Sequence, residues 1–320
     1  MPTMTTPNPL LNLQIPLGFG FMNASWAGAA SLEPGAARDQ FVADLADAMA
    51  AGVRFFDTAD IYAPTWDSMG HNEILLLEAV AAWDAPANQK AELLIATKGG
   101  ITRSPGEVWG KSASYDYLMA AISASAERLG LAEIPIWQHH RLDPNLTLAE
   151  QLRNLNLVKQ NAPIRHIAVS NYSKPQLLQA LDAIGGPADG GIISVQNQLN
   201  PVYRQQMDVL EVCEEYGLAY LPWSPTKGIR PSDAGGTAYE MFAAVAENRG
   251  VSTFAVAQAW LRSLSPNIVP MPGVTRLASI VDSLEAVDLR LTPDELQALS
   301  DLPPTLPLDA ELVSDQPKQA

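Results

Sequence analysis

"GFGFMN", residues 18–23, ends the first apolar run of the chain, "IPLGFGF", and separates two architectures. A doubly wound sheet that grips a dinucleotide needs a third glycine here and a helix at once, so that backbone N–H groups and a helix N-terminus meet the pyrophosphate. Neither is expected after Gly18 and Gly20. Beyond this stretch, short apolar runs alternate with helix-patterned ones. "VRFFDTA" leads to "NEILLLEAVAAW", "ELLIATKGG" to "YDYLMAAISASAERLG", and "IPIWQHH" to "LTLAEQLRNLNLVKQ". "IRHIAVSNYS", "GIISVQNQLN", "LAYLPWSP" and "NIVPMPGVT" continue the pattern. About eight strand–helix units without a break in composition predict an α/β fold, a single (β/α)8 TIM barrel. One domain is expected over residues 1–320, with its core at about 15–302 and a flexible, proline-rich tail at 303–320.

Composition removes several function classes. Hydrophobic residues at 47% against charged residues at 17% describe a core-forming chain. A net charge of −15 with no basic block argues against a nucleic-acid or anionic-membrane partner. Cys213 stands alone, so an internal disulfide or thiolate metal cluster is not expected, and "VLEVCEEYG" reads as a packed helix face. The N-terminal stretch has no positive charge before Arg38, and no run reaches the ~20 apolar residues of a membrane span. A cytoplasmic protein is expected.

In a barrel, chemistry gathers where strands end, because the βα loops build the mouth. The strand ends carry, in order, Asp57 and Tyr62, Lys98, His139 or His140, Ser170 and Asn171, Gln196 and Asn197, then Trp223 and Ser224. A tyrosine is a poor proton source near neutrality, its ordinary pKa being about 10. A nearby ammonium favours the phenolate. An aspartate paired with that lysine keeps it charged and in place, and a histidine can donate to a substrate oxygen. Such a set suits delivery of a proton to a carbonyl oxygen while a hydride reaches the carbon. No His, Asp or Glu cluster has metal-ligand spacing, so no metal is expected.

"GVRFFDTADIY", "IATKGG", "WQHHRLDP", "IRHIAVSNYS", "VQNQLNPVYR", "YLPWSPTKG" and "VPMPGVTR" occur in the order in which similar motifs occur in aldo-keto reductases, and the chain resembles that family over roughly residues 15–300. The resemblance implies Tyr62 as proton donor, Lys98 and Asp57 as its supports, and His140 as a substrate-orienting donor. "HRLDP" selects His140 over His139, for which a packing or surface role is expected. The resemblance further implies NADP(H) held at the barrel mouth without a Rossmann domain. Ser170, Asn171 and Gln196 would bond the carboxamide, and Trp223 would stack on the ring. Ser224, Thr226, Lys227 and Gly228 would follow the pyrophosphate. Gly273, Thr275, Arg276 and Asp282 belong to the segment that meets the adenosine end, with Arg276 on a 2′-phosphate. Met22, Trp26 and Trp109 are candidate pocket walls for a small carbonyl substrate, of the kind taken by bacterial members acting on aryl aldehydes or pyridoxal-like compounds. A monomer or weak homo-oligomer is expected. An alternative function is a cofactor-binding regulatory subunit resembling the β-subunits of potassium channels.

Overall fold

Gly18–Gly20 form the first strand, β1, and pair in parallel with Phe55–Asp57, β2. The computed structural model describes residues 8–26, 35–233 and 235–302, so the tail expected at 303–320 lies outside it. The parallel sheet continues through β3 (Leu94–Gly99), β6 (Ile134–His139), β7 (Ile164–Ser170), β8 (Ile192–Gln198) and β9 (Ala219–Trp223). Between β3 and β6, β4 (Ile101–Ser104) and β5 (Val108–Lys111) form a separate antiparallel hairpin. Helices lie outside the sheet, and the longer ones return the chain between strands. They are α1 (Met22–Trp26), α2 (Ala36–Ala50), α3 (His71–Ala82), α4 (Ala87–Lys90), α5 (Tyr115–Leu129), α6 (Leu148–Asn161), α7 (Lys174–Ile184), α8 (Met207–Tyr216), α9 (Thr237–Arg249), α10 (Thr253–Leu264), α11 (Leu277–Glu285) and α12 (Pro293–Ser300).

The fold is the expected barrel, with two corrections. A helix does follow the first strand at once, but α1 has only five residues and cannot return the chain across the sheet. Its presence makes neither glycine a phosphate cradle. The eighth strand is irregular because Pro270 and Pro272 lack the N–H that a ladder needs. The segment 267–274 still closes the ring. Val269 N–H donates to Tyr220 O on one side, while Gly18 and Gly20 donate to Pro270 O and Pro272 O on the other.

Alternation along the strands sorts the core into two layers. Phe55, Ala96, Ile136, Ala168 and Leu221 fill the barrel, with Leu10 of an N-terminal 3-10 turn among them. Phe56, Trp137, Val169 and Val195 face outward into the helical layer. Local signals stop and start that layer at defined places. Gly52 takes φ 103° after α2, and the Thr147–Glu150 capping box opens α6. One irregularity matters for the site. Ile193 joins the barrel interior, yet Gln196, three residues on, also points inward to Asp57. The register shift between β7 and β8 absorbs the extra residue, as a bulge does.

Of the two glycines in the opening stretch, Gly18 serves packing, whereas a Cβ on Gly20 would meet nothing within 4 Å. A Cβ on Gly18 would collide with the ring of Phe55, itself fully buried in the barrel. Gly18→Ala is expected to destabilise the fold by about 1–3 kcal/mol through overpacking. A lowered midpoint in chemical denaturation checks this, and an unchanged midpoint contradicts it.

Candidate active site

Asp57, Lys98 and Gln138 stand one inward position above Phe55, Ala96 and Ile136, at the C-terminal ends of β2, β3 and β6. The Lys98 side chain is completely buried. Its Nζ donates to Asp57 Oδ2 at 2.5 Å, to Thr58 O at 2.8 Å and to the Tyr62 hydroxyl at 3.2 Å. Those are all the protons an ammonium has. Burial alone would depress the Lys98 pKa, but the Asp57 charge and the Tyr62 oxygen outweigh it and hold the ammonium above its usual range. Asp57 is saturated in turn, for its Oδ1 accepts from Gln138 Nε2 at 2.7 Å and Gln196 Nε2 at 3.0 Å.

The loop that returns Tyr62 over Lys98 is anchored at several points. Thr58 donates its hydroxyl to Asn72 Oδ1, and Asn72 donates to Phe21 O and Ser25 Oγ. The Asn72 N–H also donates to Tyr62 O. Tyr62 packs edge-on against His140, with ring centroids 5.9 Å apart. Desolvation, reinforced by the charges of Lys98 and Arg141 and by His139, pushes the His140 pKa well below the ordinary value. His140 is therefore a neutral imidazole near pH 7, able to donate one N–H. Its Nδ1 has no hydrogen-bond partner among the described residues.

His139 faces the other way, as strand alternation requires. Its Nδ1 lies 2.8 Å from the Tyr172 hydroxyl in the helical layer, and burial lowers its pKa to about 4. Its role there is buried packing, not a place on the surface. Asp60 stays out of the Lys98 cluster. It is buried with Oδ1 unpartnered among the described residues, and desolvation together with the Glu73 charge raises its pKa well above the usual carboxylate value.

The expected cofactor residues fall into four groups. Ser170 and Asn171 end β7, and their polar atoms are tied together. Asn171 Nδ2 donates to Ser170 Oγ and His140 O, while Trp223 Nε1 donates to Asn171 Oδ1 at 3.0 Å. Gln196 donates its Nε2 to Asp57 inside the barrel. Ser224, Thr226, Lys227 and Gly228 form the turn after β9, where Ser224 takes φ +51° and a Cβ on Gly228 would strike Val202. Asn171, at φ +62°, is the matching left-handed residue after β7, and strain of this kind gathers at functional sites. Gly273 pairs with Gly20 across the ring closure, and the exposed Thr275 and Arg276 lead into α11. Asp282 accepts from Ser252 Oγ at 2.8 Å.

These residues suit a ligand with an aromatic ring at one end and phosphates along its length. Lys227 and Arg276 make no side-chain hydrogen bond or ion pair with the described residues, although the chain as a whole is strongly acidic. The bond to Asn171 ties down the edge of the half-buried Trp223 ring. Met22, Met69 and Trp109 pack round the cluster that contains Tyr62. The side chain of Trp26 lies outside those described. Among the described residues no three His, Cys, Asp or Glu side chains form a metal-holding group, and no helix is long and apolar enough to cross a membrane.

The sequence reading missed Gln138, Asn72 and the β4–β5 hairpin. Gln138 had a usable signal, since Ile136, Gln138 and His140 share one face at period two.

The model of the Aldo/keto reductase family matches residues 16–303. A 6-dehydroglucose reductase of Novosphingobium aromaticivorans is 33% identical over 76% of this chain and 79% of its own. Pyridoxine 4-dehydrogenase of Escherichia coli is 27% identical over 88% and 93%. A crystal structure of an aldo/keto reductase from Klebsiella pneumoniae in complex with NADP and acetate superposes with a TM-score of 0.69 at 20% identity, covering 90% of this chain and 91% of that one.

Asp60 yields a prediction with a definite sign. A carboxyl whose folded pKa is raised contributes stability below its unfolded pKa and loses it as pH rises toward the folded value. Asp60→Asn removes that loss, so its Tm should exceed the parent's by a margin that grows from about pH 4 upward. Thermal melts at acid and mildly alkaline pH check this, and a difference independent of pH contradicts it.

Proposed function

Because this chain belongs to the aldo/keto reductase family, we propose that it is an NADPH-dependent oxidoreductase that reduces aldehyde or ketone carbonyls to alcohols, with Tyr62 as the proton donor. The observation that carries this reading is the buried Lys98 ammonium, whose three donors go to Asp57, a backbone carbonyl and the Tyr62 hydroxyl. A cation there has no stabilising purpose that an apolar side chain could not serve at lower desolvation cost. It does have a chemical purpose, because it favours the phenolate that Tyr62 becomes when it gives up its proton.

The cofactor, when bound, supplies the hydride that goes to the carbonyl carbon. The remaining steps belong to the chain's own residues. Ser170, Asn171 and Trp223 would hold the nicotinamide end, and Ser224, Thr226, Lys227 and Gly228 the phosphates. Arg276, exposed and without a partner among the described residues, suits a 2′-phosphate and so favours NADPH over NADH. His140, neutral for the reasons given above, donates an N–H to the carbonyl oxygen and orients it toward Tyr62. Tyr62 then transfers its proton to that oxygen as negative charge builds there, while Lys98 stabilises the phenolate left behind. Asp57 keeps the ammonium charged throughout.

Met22, Met69 and Trp109 give the pocket thioether and aromatic walls, which suit flat or weakly polar carbonyls. The relative named for pyridoxine supports including a pyridoxal-type aldehyde among candidate substrates, and the relative named for 6-dehydroglucose supports including a sugar carbonyl.

The test is NADPH oxidation across aromatic, aliphatic, sugar and pyridoxal-type aldehydes, run on the parent and on Tyr62→Phe. The parent should turn over at least one class. Tyr62→Phe should lose about 10²–10⁴ in kcat and bind NADPH within about threefold of the parent, since its hydroxyl is not among the cofactor contacts. Turnover by the variant within about tenfold of the parent contradicts the assignment.

A further inference from the structure

The hairpin between β3 and α5 reaches into the loop that carries Tyr62 through one side chain. Arg103, on β4, is only 2% exposed at its side chain. Its Nη1 donates to Ala63 O at 2.7 Å and, at the limit of a hydrogen bond, to Ile61 O at 3.5 Å; its Nη2 donates to Pro64 O at 3.0 Å. Since Tyr62 O accepts from the Asn72 N–H, every carbonyl from Ile61 to Pro64 has a donor, and three of the four share one guanidinium.

Glu107, in the turn of the same hairpin, completes the arrangement. Its Oε2 accepts from Arg103 Nε at 2.6 Å, and its Oε1 accepts from the Trp66 N–H at 2.9 Å. The guanidinium carbon lies 4.8 Å from the centroid of the Trp109 ring. A buried guanidinium is costly unless its donors and its charge are met, and here both are met by the segment that follows Tyr62 and by the hairpin itself. Only arginine has a planar fork able to serve neighbouring carbonyls at once. The segment held by this fork carries Tyr62, whose hydroxyl makes the longest of the three Lys98 contacts, at 3.2 Å.

We propose that Arg103 is a positioning residue for the reaction. With Glu107 as its counter-ion, it fixes residues 61–66 so that the Tyr62 hydroxyl meets Lys98 and the substrate oxygen together. This rests on Tyr62 being the proton donor. Arg103 touches neither substrate nor cofactor; it acts through the backbone on both sides of Tyr62.

The experiment compares the full chain with Arg103→Met, Arg103→Lys, Glu107→Gln and Tyr62→Phe, using NADPH and the carbonyl that the parent turns over best. Misplacing a reacting group by about 1 Å costs on the order of 10²-fold, so Arg103→Met should lose about 10–100-fold in kcat, with NADPH affinity within about threefold. The pH dependence of kcat should be displaced, because the Tyr62–Lys98 contact changes. Arg103→Lys keeps the charge without the fork and should recover only part of the loss. Hydrogen exchange at Ala63 and at Thr65 to Trp66 should quicken in Arg103→Met while β3 stays protected.

Parent-like kcat in a folded Arg103→Met overturns the proposal. So does a loss of kcat that NADPH affinity and Tm follow in proportion, which would mark a general structural role. Should Arg103→Met fail to fold, Glu107→Gln decides. Glu107 is 43% exposed at its side chain, so that variant should fold, and a kcat equal to the parent's overturns the proposal. Failure of the functional reading is seen separately, as undiminished turnover by Tyr62→Phe, and it removes the role of Arg103 with it.

Discussion

A buried ammonium with three fixed acceptors organises the mouth of this barrel. Lys98 cannot be buried as a cation unless Asp57 balances it, and Asp57 cannot be buried as an anion unless its other oxygen is met as well. Gln138 and Gln196 meet it. The need for compensation therefore spreads from β3 to β2, β6 and β8, and the closed ring brings those four strand ends together. The third proton of Lys98 is the one not taken up by that compensation, and it points at Tyr62.

The two adjacent histidines show how the barrel divides labour by strand parity. Both are buried and both have depressed pKa values, so electrostatics alone would not choose between them. Geometry does. His139 lies against Tyr172 in the helical layer, whereas His140 packs edge-on to Tyr62. A neutral imidazole beside the proposed proton donor could orient a carbonyl without competing for the proton. Asp60 illustrates the opposite case, a strongly perturbed group within the same loop whose side chain lies outside the Lys98 network.

Much of this was readable from local pattern. Alternating strand and helix runs give the barrel, and polar residues at the C-terminal ends of apolar runs give Asp57, Lys98 and the pair His139–His140, between which only the resemblance of "HRLDP" to the family motif chose. What stayed hidden depends on how strands meet. Gln196 faces inward with Ile193 only because a bulge adds a residue, and no count along one strand shows that. The closing strand was legible in outline, but its two prolines leave it without a regular ladder. The β4–β5 hairpin was missed although Pro105-Gly106 marks a turn, because its strands have four residues each and β5 is largely exposed, leaving little apolar pattern to read. With it went Arg103, whose importance lies in the carbonyls it reaches about 40 residues back along the chain.

The central claim is that Lys98 acts through Tyr62, and a double-mutant cycle on the hydride-transfer rate tests it most directly. Single-turnover rates would be measured for the parent, Lys98→Met, Tyr62→Phe and the double variant, each saturated with NADPH. If the two residues work as one unit, Lys98→Met should slow the parent by about 10²-fold or more, yet slow Tyr62→Phe by less than about threefold. Losses that multiply in the double variant would contradict the account, because Lys98 would then act independently of the tyrosine it touches.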